Sequence, residues 1–152
     1  MEQVNTKRPD WDHYFMQVAD LVKTRSTCTR RQVGAVLVNG RHIIATGYNG
    51  AVTGAPHCED AGCIRQQMGI KSGERHELCV AVHAEQNALI QAAQYGISVA
   101  GATLYCTAMP CAICAKLIVN AGIRRVVYRD PYSDHLAPHI LERGAVQLCQ
   151  LT

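Results

Sequence analysis

Four residues in two separated stretches of this sequence have the types and spacing of a reaction centre: His83 and Glu85 in VHAEQNALIQAA, and Cys111 and Cys114 in TAMPCAICAK. The two cysteines stand three apart at the start of a helix-like run, so both sulfurs can lie on one side of its first turn. The positive end of a helix favours thiolates there, and thiolates are the form that binds zinc. Alone, a C-x-x-C pair is a weak signal, shared by redox dithiols and by halves of structural zinc sites. His83 changes its meaning. One imidazole and two thiolates make three protein ligands, one fewer than closes a tetrahedral structural site, so the fourth place falls to water. Glu85 could complete the shell, or it could take a proton from that water and return it to a leaving group, which is general acid and base work.

These residues need elements that converge. The run 82–95 reads as a helix stopped by Gly96, and a second helix begins near Pro110, which suits a first turn, and stops before Gly122. Between them ATLYCT reads as a buried strand. Upstream, DWDHYFMQVADLVK places Trp11, Tyr14, Phe15, Val18, Leu21 and Val22 on one helical face, with Asp10 as its cap. QVGAVLVNGRHIIATGYNG reads as two strands joined at Asn39-Gly40. RRVVY is a further short strand, LAPHILER a last helix despite Pro138, and AVQLCQL a final strand. Helices alternating with strands after an opening hairpin predict an α/β layered domain with a mixed sheet. Residues 47–80 are Gly-rich and irregular, and so long a stretch in a compact domain is usually functional or held by something.

With 152 residues, 48% apolar and 18% charged, the chain suits one soluble domain over 1–152 with its own core. No run approaches the roughly 20 apolar residues of a membrane span. The polar opening MEQVNTKRPD lacks the apolar stretch of an export signal, so a cytoplasmic protein is expected. A net charge of +3 with scattered basic residues, and only 5% aromatic residues, offers little for a nucleic-acid groove. Eight cysteines in a reducing compartment point to metal more than to disulfides. Cys106 and Cys149 read as small buried hydrophobes. Cys28, Cys58, Cys63 and Cys79 remain beside the pair already considered.

His83-Ala84-Glu85 followed by Pro110-Cys111-Ala112-Ile113-Cys114 matches the known pattern of zinc-dependent nucleobase deaminases. With DHYFMQVADLV, RSTCTRRQVGAVLV, the GYNG turn at 47–50, HAEQNALIQAA and AGIRRVVY, nearly the whole chain resembles the deoxycytidylate (dCMP) deaminases of the cytidine deaminase superfamily. The resemblance implies a three-layer α/β/α cytidine deaminase-like fold around a central mixed five-stranded sheet. It also implies hydrolysis of dCMP to dUMP and ammonia, feeding dTMP synthesis, with His83, Cys111 and Cys114 on the catalytic Zn2+ and Glu85 as proton carrier.

The resemblance further implies that cytosine is held by Glu85 and by main-chain groups near Ala84 and Thr107, the deoxyribose by Asn49 and the phosphate by Arg30. Tyr132 would cover the sugar or ring. The plain alternatives are a solvated loop charge for Arg30 and loop packing for Tyr132. Relatives that carry a second, structural Zn2+ suggest Cys28, Cys58, Cys63 and Cys79 as its ligands, clipping an insertion at about 50–80, with His57 or His76 able to replace one sulfur. The family pattern adds a hexamer switched on by dCTP and off by dTTP, with Mg2+ accompanying the triphosphate. Rival readings are a deaminase of a free nucleoside or RNA base, a zinc-stabilised nucleotide-binding module without turnover, and a redox dithiol protein. Glu85 has no use in the second of these, and His83 has none in the third.

Overall fold

A computed structural model of the chain describes residues 7–152; the polar start read at residues 1–6 lies outside them. Along the described residues run α1 (Trp11–Lys23), β1 (Gly34–Asn39), β2 (His42–Tyr48), β3 (Gly50–Ala51), α2 (Cys58–Ala61), α3 (Ile64–Gln67) and a 3-10 turn at His76–Leu78. Then come β4 (Ala81–Val82), α4 (Ala84–Gln94), β5 (Thr103–Ala108), α5 (Ala112–Asn120), β6 (Arg125–Asp130), α6 (Leu136–Arg143) and β7 (Gln147–Gln150). Five strands form one sheet in the order β2-β1-β5-β6-β7, while β3 and β4 pair separately. β1 is antiparallel to both β2 and β5, whereas β5-β6 and β6-β7 are parallel, joined through α5 and α6. The sheet is therefore mixed.

Side chains alternate across a strand, so each strand feeds two cores. Ala35, Leu37, Leu104, Cys106 and Val126 face the layer of α4, α5 and α6, while Val36, Val38, Tyr105 and Val127 face α1. Both faces are covered, which gives the three-layer α/β/α architecture expected from the resemblance. α1 is started by Asp10, whose carboxylate accepts the His13 N–H at 2.8 Å. Its buried face differs from the one predicted: Phe15, Met16 and Ala19 are buried, whereas Trp11, Tyr14 and Leu21 are exposed. Phe15, Met16 and Ala19 pack on Val36, Val38, Tyr105 and Val127 of the sheet. Trp11, the first residue of α1, stacks on Phe15 instead, ring centroids 5.7 Å apart.

Three boundaries also moved. The hairpin turn falls on Gly40 and Arg41, both at positive φ (55° and 66°), with Asn39 still paired to His42. Two consecutive left-handed residues are what a two-residue turn requires to match strand twist. Val82, predicted as the start of a helix, belongs to β4, and His83 is the extended residue that caps α4. Likewise α5 starts at Ala112 with Cys111 as its cap, not at Pro110. Within 47–80 the chain completes β2 at Tyr48 and then forms only short turns of helix and β3, which pairs Gly50 with Val82 and so ties the GYNG stretch to the residue before His83.

Candidate active site

The two helix caps bring the predicted ligands together. His83 enters α4 in an extended conformation, and its N–H is held by the Gln86 side chain at 2.8 Å. Cys111 caps α5 and Cys114 sits in its first turn. α5 is anchored from outside by Asp134, which accepts the Ala112 N–H at 2.7 Å with one oxygen and the N–H groups of Leu136 and Ala137 with the other. One carboxylate thus fixes the starts of both α5 and α6.

His83 Nδ1 lies 3.4 Å from Cys111 Sγ and 3.3 Å from Cys114 Sγ, and the ligand atoms of all three residues fall within 4.8 Å of one another. A tetrahedral zinc with ordinary Zn–S and Zn–N bonds places such N and S atoms roughly 3.6 Å apart, so the donor set fits the ion. Of the three, Cys111 is the one shifted toward its ligand form. Cys114 donates to Cys111, and with His83 alongside, that contact holds the Cys111 thiol well below its usual range against the opposing effect of burial. The bond with Cys111 likewise pushes the His83 imidazole upward, burial again opposing. The contact with Cys111, and then burial, push the Cys114 thiol up, so zinc binding here would have to displace the protons held at His83 and Cys114.

Glu85 is the second residue of α4, buried to 5% exposure. Its Oε2 lies 3.3 Å from Cys114 Sγ, so the carboxylate borders the ligand cluster instead of pointing to solvent. Ala84, before it, is buried, and Thr107 at the end of β5 is buried with its Oγ1 accepting the Gly34 N–H at 3.1 Å. Ala84 lines the cleft, whereas at the end of β5 it is Ala108 and Met109, not Thr107 itself, that reach it.

Asn49, Arg30, Arg31, Arg65, His76 and Tyr132 wall the same cleft. The Asn49 side chain accepts from Ser26 Oγ at 2.5 Å and from the Val33 N–H at 2.9 Å, and donates to the Arg31 carbonyl at 2.7 Å. It therefore braces the 26–33 loop that carries both Arg30 and Arg31. The Arg31 guanidinium lies 4.8 Å over the Tyr132 ring, and the Tyr132 hydroxyl is hydrogen-bonded to His76 Nε2 at 3.1 Å. His76 packs edge-on against His83, ring centroids 5.2 Å apart.

Arg65, which no sequence pattern singled out, is 7% exposed; its Nε, like Arg30 Nη1, is buried without a hydrogen-bond partner. Among the described residues no carboxylate forms an ion pair with Arg30, Arg31 or Arg65. Arg65 is thus a buried cation without a counter-ion, a state that calls for an anion, and the half-buried Arg30 and Arg31 line the same cleft.

Cys28, Cys58, Cys63 and Cys79 border the cleft too. Burial and then the proximity of Cys28, Cys63 and Cys79 push the Cys58 thiol up, so the four are close enough to repel as thiolates. Among the described residues, however, only His83, Cys111 and Cys114 bring three or more ligand atoms within 4.8 Å of one another. At Cys63 burial raises the thiol, but the N–H groups of Gln66 and Arg65 and the charge of Arg30 outweigh it and lower its pKa.

The fold and site define a family. The model of the cytidine and deoxycytidylate deaminase zinc-binding region matches residues 9–130, and the chain belongs to that family. It is 42% identical over 147 residues to a deoxycytidylate deaminase of Schizosaccharomyces pombe, covering 96% of this chain but 45% of that protein. It is 46% identical over 126 residues to the deoxycytidylate deaminase of Mycobacterium phage D29, covering 80% of this chain and 95% of that one. The dCMP deaminase of cyanophage S-TIM5, solved in complex with dCMP and dUMP, superposes with a TM-score of 0.80 at 31% identity over 95% of this chain and 99% of that one. Among the described residues no helix is long and apolar enough to cross a membrane.

Proposed function

We propose that the protein deaminates dCMP hydrolytically to dUMP and ammonia. The observation that carries this is the pairing, in one cleft, of the His83–Cys111–Cys114 donor set and the adjoining Glu85 with guanidinium groups that lack a counter-ion. The first half suits deamination of an amino-substituted ring and the second suits a substrate that carries a phosphate. Deoxycytidylate deaminases among the relatives, of which the phage D29 protein is matched over 95% of its length, support the choice of dCMP.

His83, Cys111 and Cys114 would hold a zinc ion, whose Lewis acidity would make water a nucleophile near neutral pH. Glu85 accepts one proton from the attacking water and delivers it to the ring nitrogen next to the attacked carbon. It then carries the remaining hydroxyl proton to the amino group, which leaves as ammonia while a carbonyl forms. Burial of Glu85 at the start of α4 suits this work, because a carboxylate shielded from bulk water exchanges protons with the substrate. Main-chain groups at Ala84 and Thr107 meet the cytosine edge, Asn49 meets the deoxyribose and Tyr132 closes over the sugar or ring. Arg30 grips the phosphate, with Arg65 beside it. A guanidinium suits a monophosphate because its N–H fork matches two phosphate oxygens at once.

The remaining parts rest on the family resemblance: a single domain with a 50–80 insertion clipped by a second Zn2+ on Cys28, Cys58, Cys63 and Cys79, a hexamer in the cytoplasm, and regulation by dCTP and dTTP with Mg2+ in a route to dTMP. The four cysteines bordering one cleft add support to the second zinc.

Incubating the protein with dCMP, CMP, deoxycytidine and dCTP in parallel, while following ammonia, tests the substrate. Turnover of dCMP far above the other three is expected; preference for deoxycytidine would remove the phosphate contacts from the account.

A further inference from the structure

We infer that Cys106, expected from its place in a strand to be a small core hydrophobe, is a positioning residue for Glu85. Cys106 is wholly buried on β5, on the face that Leu104 also presents to α4 and α5. Its Sγ donates to Glu85 Oε1 at 3.0 Å, while the other carboxylate oxygen, Oε2, lies against Cys114. The two oxygens of Glu85 therefore have different neighbours. One is fastened to the sheet and one faces the ligand cluster.

The inference rests on Glu85 being the proton carrier. A carrier must present the same oxygen to water and substrate through each transfer, and misplacement by 1 Å can cost orders of magnitude in rate. Glu85 has several rotatable bonds, and Gln86 holds only the backbone in front of it. The Cys106 S–H supplies the missing fixed point from a rigid central strand, and a neutral donor to a carboxylate in a dry site is stronger than the same contact in water. Burial, and then the nearby Glu85, push the Cys106 thiol well above its ordinary range, so it stays a donor. Cys106 is also outside the group of residues whose atoms could share a metal ion. Its sulfur serves the carboxylate, not the cation.

The test uses Cys106→Ser, Cys106→Ala and Cys106→Val in the full chain. Serine keeps a donor, whereas alanine and valine remove it and valine also fills the space. Zinc content, thermal midpoint, and kcat and KM for dCMP are measured for each. The expectation is that alanine and valine lower kcat about tenfold, a loss of transition-state stabilisation with KM and zinc content unchanged, and that serine recovers most of it. Full kcat in the valine variant, or equal loss in serine and valine, overturns the inference.

A second measurement needs neither turnover nor a variant at 106: the infrared S–H stretch. Wild type is expected to show a band at lower frequency than Glu85→Gln, because a carboxylate draws the thiol proton more strongly than an amide does. An unshifted band overturns the contact itself. Absence of dCMP turnover in wild type would instead sink the proposed reaction, so the two failures are distinguishable.

Discussion

Gly47 of β2 lies against the backbone of α4: a Cβ built at Gly47 would come 2.2 Å from the carbonyl oxygen of Ala84 and 2.4 Å from the Ala88 nitrogen. The edge of the sheet can approach the helix carrying His83 and Glu85 only because that residue has no side chain. Gly47→Ala must push α4 away from β2, and overpacking of this kind costs about 1–3 kcal/mol. The expected result is a lower urea midpoint together with weaker zinc retention, because the displaced turn also holds His83. A variant with wild-type stability would mean that α4 yields without strain.

Arg65 separates phosphate recognition from the chemistry of the ring. A hydrogen bond to a charged partner is worth about 1.5–3 kcal/mol, which corresponds to a fall of roughly 10- to 150-fold in kcat/KM for dCMP in Arg65→Gln. Deoxycytidine, which has no phosphate, should be turned over by the variant at the same low rate as by wild type. Equal losses on both substrates would make Arg65 a structural residue of the 50–80 segment.

Acid stability has a defined contributor far from the cleft. Asp12 accepts both Arg125 Nη1 and Nη2, at 2.8 and 2.7 Å, and the Tyr105 hydroxyl at 2.7 Å, joining α1 to β5 and β6. The Arg125 contact lowers the Asp12 carboxyl below its ordinary 3.8, burial opposing and Tyr105 assisting. A depressed folded-state pKa means that the stabilisation is complete above the unfolded value, near pH 4, and disappears as pH falls through the folded one. Asp12→Asn should therefore cost about 1–3 kcal/mol at pH 7 and much less at pH 2, read from urea unfolding at the two pH values. An equal difference at both would remove the ion pair from the acid response.

Metal counting distinguishes the two proposed zinc sites. Purified protein should hold about two zinc ions per chain, and Cys58→Ser should hold about one while keeping His83, Cys111 and Cys114 loaded. A wild-type count near one would end the four-cysteine proposal and leave the catalytic site untouched.

Much of this architecture was legible because its signals are local. The Asn39-Gly40 pair, the Asp10 cap and the apolar alternation in GAVLVN act within a few residues, and α1, β1 and β2 fall within a residue or two of where they were expected. The Pro-Cys-x-x-Cys spacing and the His-x-Glu pair led to a cluster whose atoms do converge. What could not be read depends on contacts between distant segments. His83 and Cys111 are caps instead of helical residues because each must turn its side chain toward the other across 28 positions. Cys106 looked like filling for a strand, since nothing in its neighbours in sequence announces Glu85, 21 residues away. Arg65 sits in a stretch with no periodicity, and only its burial without a partner marks it. Asp134, two residues past Tyr132, fixes the starts of two helices by folding back 22 residues to Ala112.

The most direct test of the account is Glu85→Gln, assayed for ammonia release from dCMP and for bound zinc in the same preparation. Removing a general acid and base costs typically 10²–10⁴-fold, so the variant should hold as much zinc as wild type and turn over at least about a hundredfold more slowly. Zinc retained with turnover near wild type would contradict the assignment of Glu85, and with it the reaction built around that carboxylate.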